Sequence, residues 1–206
     1  MRLELTLSCL TTGRRSGRLE ALRCRFWLLA AMVAVFLSGG RAAAEDQVAM
    51  DYQVKAACLV NFPKYVDWPA NAFPAANSPI TVAVFGDDNV ANEFGNMTSD
   101  GKTINGHPLV LKRIAKESDI TPDCQILFIG AAERQRVSTI LEKLQGANVL
   151  TVGESDDFLA KGGVINLVHQ GRKIRLQVNL DAAGQAHLKI SSKLLVAADV
   201  VKGKSG

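Results

Sequence analysis

The hydrophobic and polar positions along the chain change their spacing several times, and each change predicts a different element. Between residues 52 and 69 the apolar residues, Val54 among them, fall near helical spacing and predict one apolar helix face. The charged residues, Lys55 among them, lie largely off that face. Pro63 removes a backbone donor and predicts a kink or a restart of the helix near Phe62. Trp68-Pro69 ends the segment, because the residue before a proline avoids the α region.

Further along, short apolar runs alternate with segments of helical spacing. The runs predict strands at residues 80–85, 109–113, 124–129 and 149–152, and the intervening segments predict helices at 90–96 and 133–144. Asn105-Gly106 is a two-residue turn signal between extended segments. The β-α-β-α-β order from residue 80 to 153 predicts an α/β layer with parallel neighbouring strands.

The last part of the chain predicts a hairpin of residues 164–168 and 173–179, followed by two helices. In the second arm Ile174, Leu176 and Val178 alternate with polar residues, which is the period of a half-exposed strand. Asp181 is predicted to cap a short helix, and a helix over 193–201 is predicted to cover the sheet. The predicted fold class is α/β: a single compact domain with a central mixed sheet and helices packed on its faces.

The first 44 residues have the pattern of a secretory signal peptide. Arg23 and Arg25 precede an apolar run over 26–37, and the small residues 42–44 follow. We therefore expect a cleaved leader over 1–44, a domain over 45–206 with its core at about 50–200, and a periplasmic location.

This leader also explains the basic character of the whole chain. The formal net charge is +4, but residues 1–44 hold seven arginines and two glutamates, which leaves 17 basic and 18 acidic groups beyond them. A nearly neutral domain gives no electrostatic case for binding nucleic acid or an anionic membrane.

Patterns of catalytic or cofactor-binding residues are missing from the sequence. His107, His169 and His187 are far apart, without the spacing of metal ligands. There is no Gly-x-Gly-x-x-Gly motif, no phosphate-binding lysine loop and no Cys-x-x-Cys pair. We therefore expect no enzyme activity, no metal and no cofactor.

Two polar groups admit alternative interpretations. Asp87-Asp88 follows a predicted strand and suggests either a metal or phosphoryl site or, more simply, a helix N-cap. One face of the predicted strand 173–179 is either an ordinary solvated face or a site for a small anion or a partner carboxylate, because arginine binds carboxylates in a bidentate way. The candidate binding residues on that face are Lys173, Arg175, Gln177 and Asn179.

Cys58 and Cys124 are the two cysteines beyond the leader. In an oxidising compartment they either form a disulfide or remain buried as small apolar side chains. Geometry decides between these states, since a bond needs the two Cα atoms within about 7 Å.

Several motifs resemble one family. The segment 52–69 reads Y-Q-V-K-A-A-x-L-x-N-F-x-K-Y-V-x-W-P and is similar to the opening motif of the YfiR family of periplasmic regulators. The resemblance continues in order through VAVFGDD (82–88), ING (104–106), CQILFIG (124–130), VLTVGES (149–155), GGVINLV (162–168), LQVNLDAA (176–183) and LKISSKLL (188–195). The motif residues, mostly structural, are Lys55, Asn61, Phe62, Tyr65, Trp68, Pro69, Gly162 and Gly163.

This resemblance implies a periplasmic repressor. Its expected partner is the periplasmic domain of an inner-membrane diguanylate cyclase, and an outer-membrane lipoprotein is expected to sequester the repressor, which links the envelope state to cyclic-di-GMP and biofilm formation. A homodimer is a further expectation. Family disulfides would need cysteines at Ala83 and near Leu159 and Asn166, so we expect less redox sensitivity here.

A second hypothesis from another class is a periplasmic small-ligand binding protein that acts on a different membrane receptor. The presence of a neighbouring gene for a membrane protein with a cytoplasmic cyclase domain would favour the repressor instead.

Overall fold

The computed structural model describes residues 47–75, 77–171 and 173–201, so the predicted leader lies outside the described residues. Its helices are α1 (residues 47–61), α2 (Asp88–Thr98), α3 (Val137–Lys143), α4 (Leu180–Gln185) and α5 (Ser192–Val196). The strands are β1 (Val66–Asp67), β2 (Ile80–Phe85), β3 (Thr103–Ile104), β4 (His107–Ile114), β5 (Ile126–Ile129), β6 (Leu150–Gly153), β7 (Ile165–Gln170), β8 (Lys173–Asn179), β9 (Lys189–Ile190) and β10 (Ala198–Val201). Among the described residues, none of the helices has the length and apolar character needed to span a bilayer.

In the described part of the chain, eight strands form one mixed sheet in the order β10-β8-β7-β6-β5-β2-β4-β3, and β1 pairs separately with β9. The five strands β4-β2-β5-β6-β7 are parallel, whereas β8 runs antiparallel to β7 and β3 antiparallel to β4. Read across the sheet, these five strands are the second, first, third, fourth and fifth in chain order. The direction of winding therefore reverses between β2 and β5, as in doubly wound α/β folds.

Hydrophobic clusters cover both faces of the sheet, because successive strand residues point to opposite sides. On one face Val82 and Val84 of β2 pack in a cluster with α1 and α2. On the other face Ala83 and Phe85 pack with α3. The predicted α/β class, with helices on the faces of a mixed sheet, is confirmed.

Local sequence signals explain several boundaries. Helix α1 ends at Asn61 and a 3₁₀ turn, Phe62–Lys64, follows with Pro63 at its start, as the proline predicted. Asn105 and Gly106 have φ values of 53° and 84°, the left-handed conformation that a two-residue hairpin turn requires.

The apolar face of α1 differs from the prediction. Lys55 was placed off that face and is only 6% exposed, whereas Val54 was placed on it and is 40% exposed. Position 55 is buried because its ammonium group pairs with Glu154. The ion pair offsets the desolvation cost that normally keeps a lysine at the surface. The pattern of charged and apolar residues therefore placed Val54 on the buried face instead of Lys55.

Two predictions near the end of the chain are wrong. The cap of α4 is Asn179, whose side chain accepts a hydrogen bond from the Ala182 N–H, and Asp181 lies in the first turn instead. The predicted helix over 193–201 ends at Val196, and β10 follows it. This segment becomes a strand because it pairs in parallel with β8, an interaction that helical periodicity does not report.

Candidate functional site at the carboxyl ends of the parallel strands

The candidate site lies where the winding of the sheet reverses, outside the carboxyl ends of β2 and β5. At this point the segments that follow β2 and β5 approach closely: the Gly130 N–H donates to the Phe85 carbonyl at 2.8 Å. A Cβ atom on Gly130 would lie 2.6 Å from the Gly86 carbonyl oxygen, so a side chain there would collide with backbone. Ligand sites of open α/β sheets occur in this position, because the connections on either side diverge and leave a crevice.

An open crevice of about 480 Å³ occupies this position. Tyr52 and Lys55 of α1 line one side, and Asp87 follows β2 at the base. Glu154 follows β6, and His169 belongs to the end of β7. The parallel order of the strands gathers these side chains, because their carboxyl ends lie along one edge of the sheet.

A buried ion pair forms the wall of the crevice. Lys55 Nζ contacts Glu154 Oε2, and the two side chains are 8% and 6% exposed. The Ala131 N–H donates to the other carboxylate oxygen of Glu154 at 2.7 Å. Lys55 Nζ also lies 5.4 Å from the centroid of the Tyr52 ring. Burying two charges is costly unless they pair, so this pair holds α1 and the strand end in a fixed relation.

Asp87 caps α2 at the base of the crevice. Its Oδ1 accepts hydrogen bonds from the Asn89 and Val90 N–H groups, each at 3.1 Å, which is the capping role predicted from the sequence. Burial raises the pKa of Asp87 above its ordinary 3.8, and the charge of Glu154 adds to the rise. The Val90 N–H bond and the charge of Lys55 oppose it. Asp87 therefore holds a proton more readily than an exposed aspartate.

His169 connects the crevice to the first turns of α1. Its Nδ1 lies 3.8 Å from an oxygen of Asp51, and the two form an ion pair only when the histidine is protonated. In the lining of the crevice the carboxyl groups outnumber the single ammonium group, that of Lys55; they belong to Asp87, Asp88 and Glu154. Such a lining is suited to a small polar molecule that carries an amine or hydroxyl donor. Within the described residues, no three His, Cys, Asp or Glu side chains are placed to hold a metal ion.

The four candidate binding residues of β8 do not join this crevice. They lie on the sheet face opposite to His169, because β8 pairs with β7 in a register that places Ile174 beside His169. Lys173 and Arg175 are exposed, and the Arg175 Nε donates to Gln170 at 2.9 Å. Gln177 is half-buried. Asn179 is only 4% exposed and caps α4, so it does not belong to a solvated polar face.

Apart from Lys55, the residues of the opening motif make contacts within the fold. Asn61 Nδ2 donates to the Ala57 carbonyl at 2.8 Å, and Phe62 is buried in the core. The Tyr65 carbonyl accepts from the Ser191 N–H at 2.8 Å. Trp68, followed by the half-buried Pro69, packs edge-on against Phe73 with ring centroids 6.4 Å apart.

The Gly162-Gly163 motif has two separate explanations. Gly162 has a φ of 97°, which favours glycine. A Cβ on Gly163 would lie 2.1 Å from the buried ring of Phe158, and a Cβ on Gly153 would lie 2.3 Å from the same ring. Gly153 and Gly163 thus make room for the side chain of Phe158.

Cys58 and Cys124 are free thiols. Cys58 packs against the cluster that contains α1, whereas Cys124 belongs to the cluster on the opposite face of the sheet. Burial raises the pKa of both thiols to about 11. Because the two thiols lie on opposite faces of the sheet, they are not placed to form the Cys58–Cys124 disulfide. The low redox sensitivity stays a prediction.

Sequence reasoning missed Glu154 and the location of Asp87 in a crevice. The signal was available in the repeated pattern of a buried strand followed by glycine and an acidic residue, Gly86-Asp87 and Gly153-Glu154. In a parallel sheet such residues meet at one edge. The partner of Glu154, Lys55, carries no comparable signal, since only the packing of α1 brings it there.

The comparisons with known proteins bear on the whole domain. A family model described as YfiR/HmsC-like matches residues 52–199. The chain belongs to the YfiR/HmsC-like family. The match includes every residue of the crevice and extends from the first half of α1 to the first half of β10. None of the curated proteins compared with this family member matches it.

Two solved structures share a distant likeness. A conserved domain protein from Vibrio cholerae O1 biovar El Tor strain N16961 is 13% identical with a TM-score of 0.45, over 60% of this chain and 55% of that one. An ABC domain from Streptococcus pneumoniae, solved in complex with L-Trp, is 10% identical with a TM-score of 0.49, over 73% and 60%. The chain thus spans little more than half of each protein, and neither likeness bears on its function.

Proposed function

We propose that the chain is a periplasmic regulatory protein that holds an inner-membrane diguanylate cyclase inactive by binding the periplasmic part of that cyclase. The observation that carries this proposal is the YfiR/HmsC-like match over residues 52–199. Repression of this kind needs a surface with higher affinity for the inactive state of the partner, and it needs no reacting side chain. An outer-membrane lipoprotein that binds the repressor would release the cyclase.

Location in the periplasm is part of the proposal and rests on the leader-like pattern of residues 1–44. Intact-mass analysis of the periplasmic fraction should find a chain that starts close to Glu45. Recovery of the full-length chain in the cytoplasm would contradict export and the repressor mechanism with it.

The main experiment compares cyclic-di-GMP in cells with and without the gene while the cognate cyclase is expressed. Deletion should raise cyclic-di-GMP and surface attachment, and the intact gene should restore both. A Lys173→Glu variant tests whether the exposed face of β8 carries the partner, because it changes a surface charge without touching the core. An unchanged cyclic-di-GMP level on deletion would contradict the repressor function.

The crevice supports a second candidate function, binding of a small ligand that acts on another membrane receptor. The specific observation is the buried Lys55–Glu154 pair beside Asp87 at the point where the winding reverses. Calorimetric titration with small amines and amino acids should give binding that Glu154→Gln weakens and Lys173→Glu leaves unchanged. Equal binding by both variants would place the ligand outside the crevice.

A further inference from the structure

Helix α1 is packed unevenly along its length. Its first turns carry the exposed apolar side chains of Val48 and Met50, and the first residues of the helix that are buried are Lys55 and Ala56. A segment that buries few apolar side chains opens more readily than the rest of a fold. The start of α1 therefore depends more on polar contacts than on burial for its position on the sheet.

Those polar contacts converge on Asp51. Its Oδ1 accepts a hydrogen bond from Gln47 Nε2 at 3.2 Å, within the first turn, and its Oδ2 lies 3.8 Å from Nδ1 of His169 in β7. One turn further along, Lys55 pairs with Glu154, which follows β6. Positions four apart lie on one face of a helix, so two consecutive ion pairs connect α1 to neighbouring strand ends.

The two ion pairs differ in exposure and in their dependence on pH. The side chains of Lys55 and Glu154 are almost fully buried, whereas those of His169 and Asp51 are 47% and 22% exposed. The outer pair is an ion pair only while the imidazole ring is protonated. Histidine is the side chain whose charge ordinarily changes between about pH 5 and pH 8. The outer pair is therefore present in acid and is lost as the pH rises.

The other charged groups around His169 are compatible with a positive ring. In the lining of the crevice one ammonium group, that of Lys55, is accompanied by three carboxyl groups. These belong to Asp87, Asp88 and Glu154. On β8 the neighbour of His169 in the register is the uncharged Ile174, and residues 173 and 175 lie on the opposite face of the strand. Among the described residues, a protonated His169 thus has more carboxyl than ammonium groups near it.

We propose that His169 and Asp51 form a pH-sensitive latch. It holds the first turns of α1 against the end of β7 when the histidine is protonated and releases them when the histidine is neutral. Tyr52 follows the latch directly and lines the crevice, so the latch restricts access to the crevice in acid and widens it at higher pH. This control of access rests on the ligand-binding function proposed above, whereas the latch itself does not.

Native-state hydrogen exchange of the purified mature chain tests the latch without any ligand. The amides of residues 51–53 report on it, because their hydrogen bonds to residues 47–49 close the first turn. The protection of wild type is divided by that of His169→Gln at each pH, which cancels the pH dependence of the chemical exchange. Since an exposed ion pair changes such an equilibrium about two- to fivefold, this ratio should be larger by that factor at about pH 5.5 than at about pH 8.

Two further variants identify the partner and control for the substitution. Asp51→Asn keeps an oxygen for Gln47 and removes the charge, so adding His169→Gln to it should change the protection equally at both pH values. His187→Gln, at an exposed histidine between α4 and β9, should leave residues 51–53 as they are in wild type. A ratio that does not change with pH, or a pH dependence that survives in Asp51→Asn, would overturn the latch.

Calorimetric titration with ethanolamine, a small amine, tests the control of access. At about pH 5.5 Asp51→Asn should bind the amine about two- to fivefold more tightly than wild type, and at about pH 8 it should show no such gain. A simple charge effect predicts the reverse, because the variant has one carboxylate fewer to attract a cation. Weaker binding by the variant at both pH values would overturn the control of access. Latch-dependent exchange without any amine binding would support the latch and contradict the ligand-binding function, so the two failures are distinguishable.

Discussion

The two ends of the parallel strands are closed in opposite ways. At the amino ends the loop after β1 lies across the sheet and is held by neutral groups: Gln125 accepts from the Thr81 N–H at 2.8 Å and donates to the Ala72 carbonyl at 3.0 Å. Phe73 of that loop stacks on His107 with centroids 4.5 Å apart. At the carboxyl ends there is no comparable cover over the described crevice, and its wall is the charged Lys55–Glu154 pair.

We propose that this difference separates the end that stabilises the fold from the end that binds a ligand or partner. Neutral hydrogen bonds and ring stacking close the amino end at little desolvation cost, because few charges are buried there. A buried ion pair at the carboxyl end gives little net stability, since desolvation offsets most of the attraction. Its benefit is a fixed arrangement of charged groups beside open space, which is what recognition of a ligand or partner requires.

The largest expected effect concerns Phe62 in the buried 3₁₀ turn that follows α1. Phe62 is 2% exposed, so Phe62→Ala should lower the free energy of unfolding by about 3–5 kcal/mol through lost burial and a cavity. Urea denaturation measures it. Val54→Ala is the control, at an exposed position of the preceding helix α1, where we expect little change. A silent Phe62→Ala would show that this turn does not depend on core packing.

The next effect concerns the charged end. Glu154→Leu leaves the Lys55 ammonium buried without a partner and should cost about 3 kcal/mol, whereas the double variant Lys55→Met with Glu154→Leu should recover most of the loss. Lys112→Met, which breaks an exposed pair with Asp123, should leave stability unchanged. If the double variant is as unstable as the single one, the pair stabilises the fold and the proposed separation fails.

A smaller effect depends on pH. Because the folded state raises the pKa of Asp87, the folded chain binds this proton more tightly than the unfolded chain. The contribution of Asp87 to stability is therefore largest in acid and declines as the pH rises from about its ordinary 3.8 through the raised value. Asp87→Asn keeps the helix cap and removes the titrating carboxyl group. The free energy of unfolding of the wild type relative to the variant should therefore fall as the pH rises from about 3.8 through the raised pKa. A difference that rises with pH would contradict the burial of Asp87.

The smallest effect is expected from reductant. Because Cys58 and Cys124 lie on opposite sheet faces, melting with and without reductant should give the same midpoint. With pKa values of about 11, only about one thiol in 10⁴ is ionised at neutral pH, so labelling of the native chain should be slow. A drop of many degrees on reduction would reveal a bond between them.

The sequence predicted most of the fold because its signals are local. Apolar runs set β2, β5 and β6, Asn105-Gly106 set a turn, and the β-α-β order implied parallel strands. The candidate site was predicted poorly, because it consists of residues from α1, three strand ends and a loop. The face of β8 was chosen from alternation alone, which gives no sign that Asn179 turns inward to cap α4.

By itself, the sequence determined which segments become strands or helices over most of the chain, and it carried the family motifs. Tertiary structure alone decided where charges can be buried. Lys55 reads as a surface residue until Glu154, whose other carboxylate oxygen accepts from the Ala131 N–H, pairs with it at the strand ends. It also decided that residues 198–201 form an edge strand, since a segment of helical periodicity becomes extended once β8 offers it a row of backbone partners. Both outcomes depend on long-range pairing, whose energy no local pattern contains.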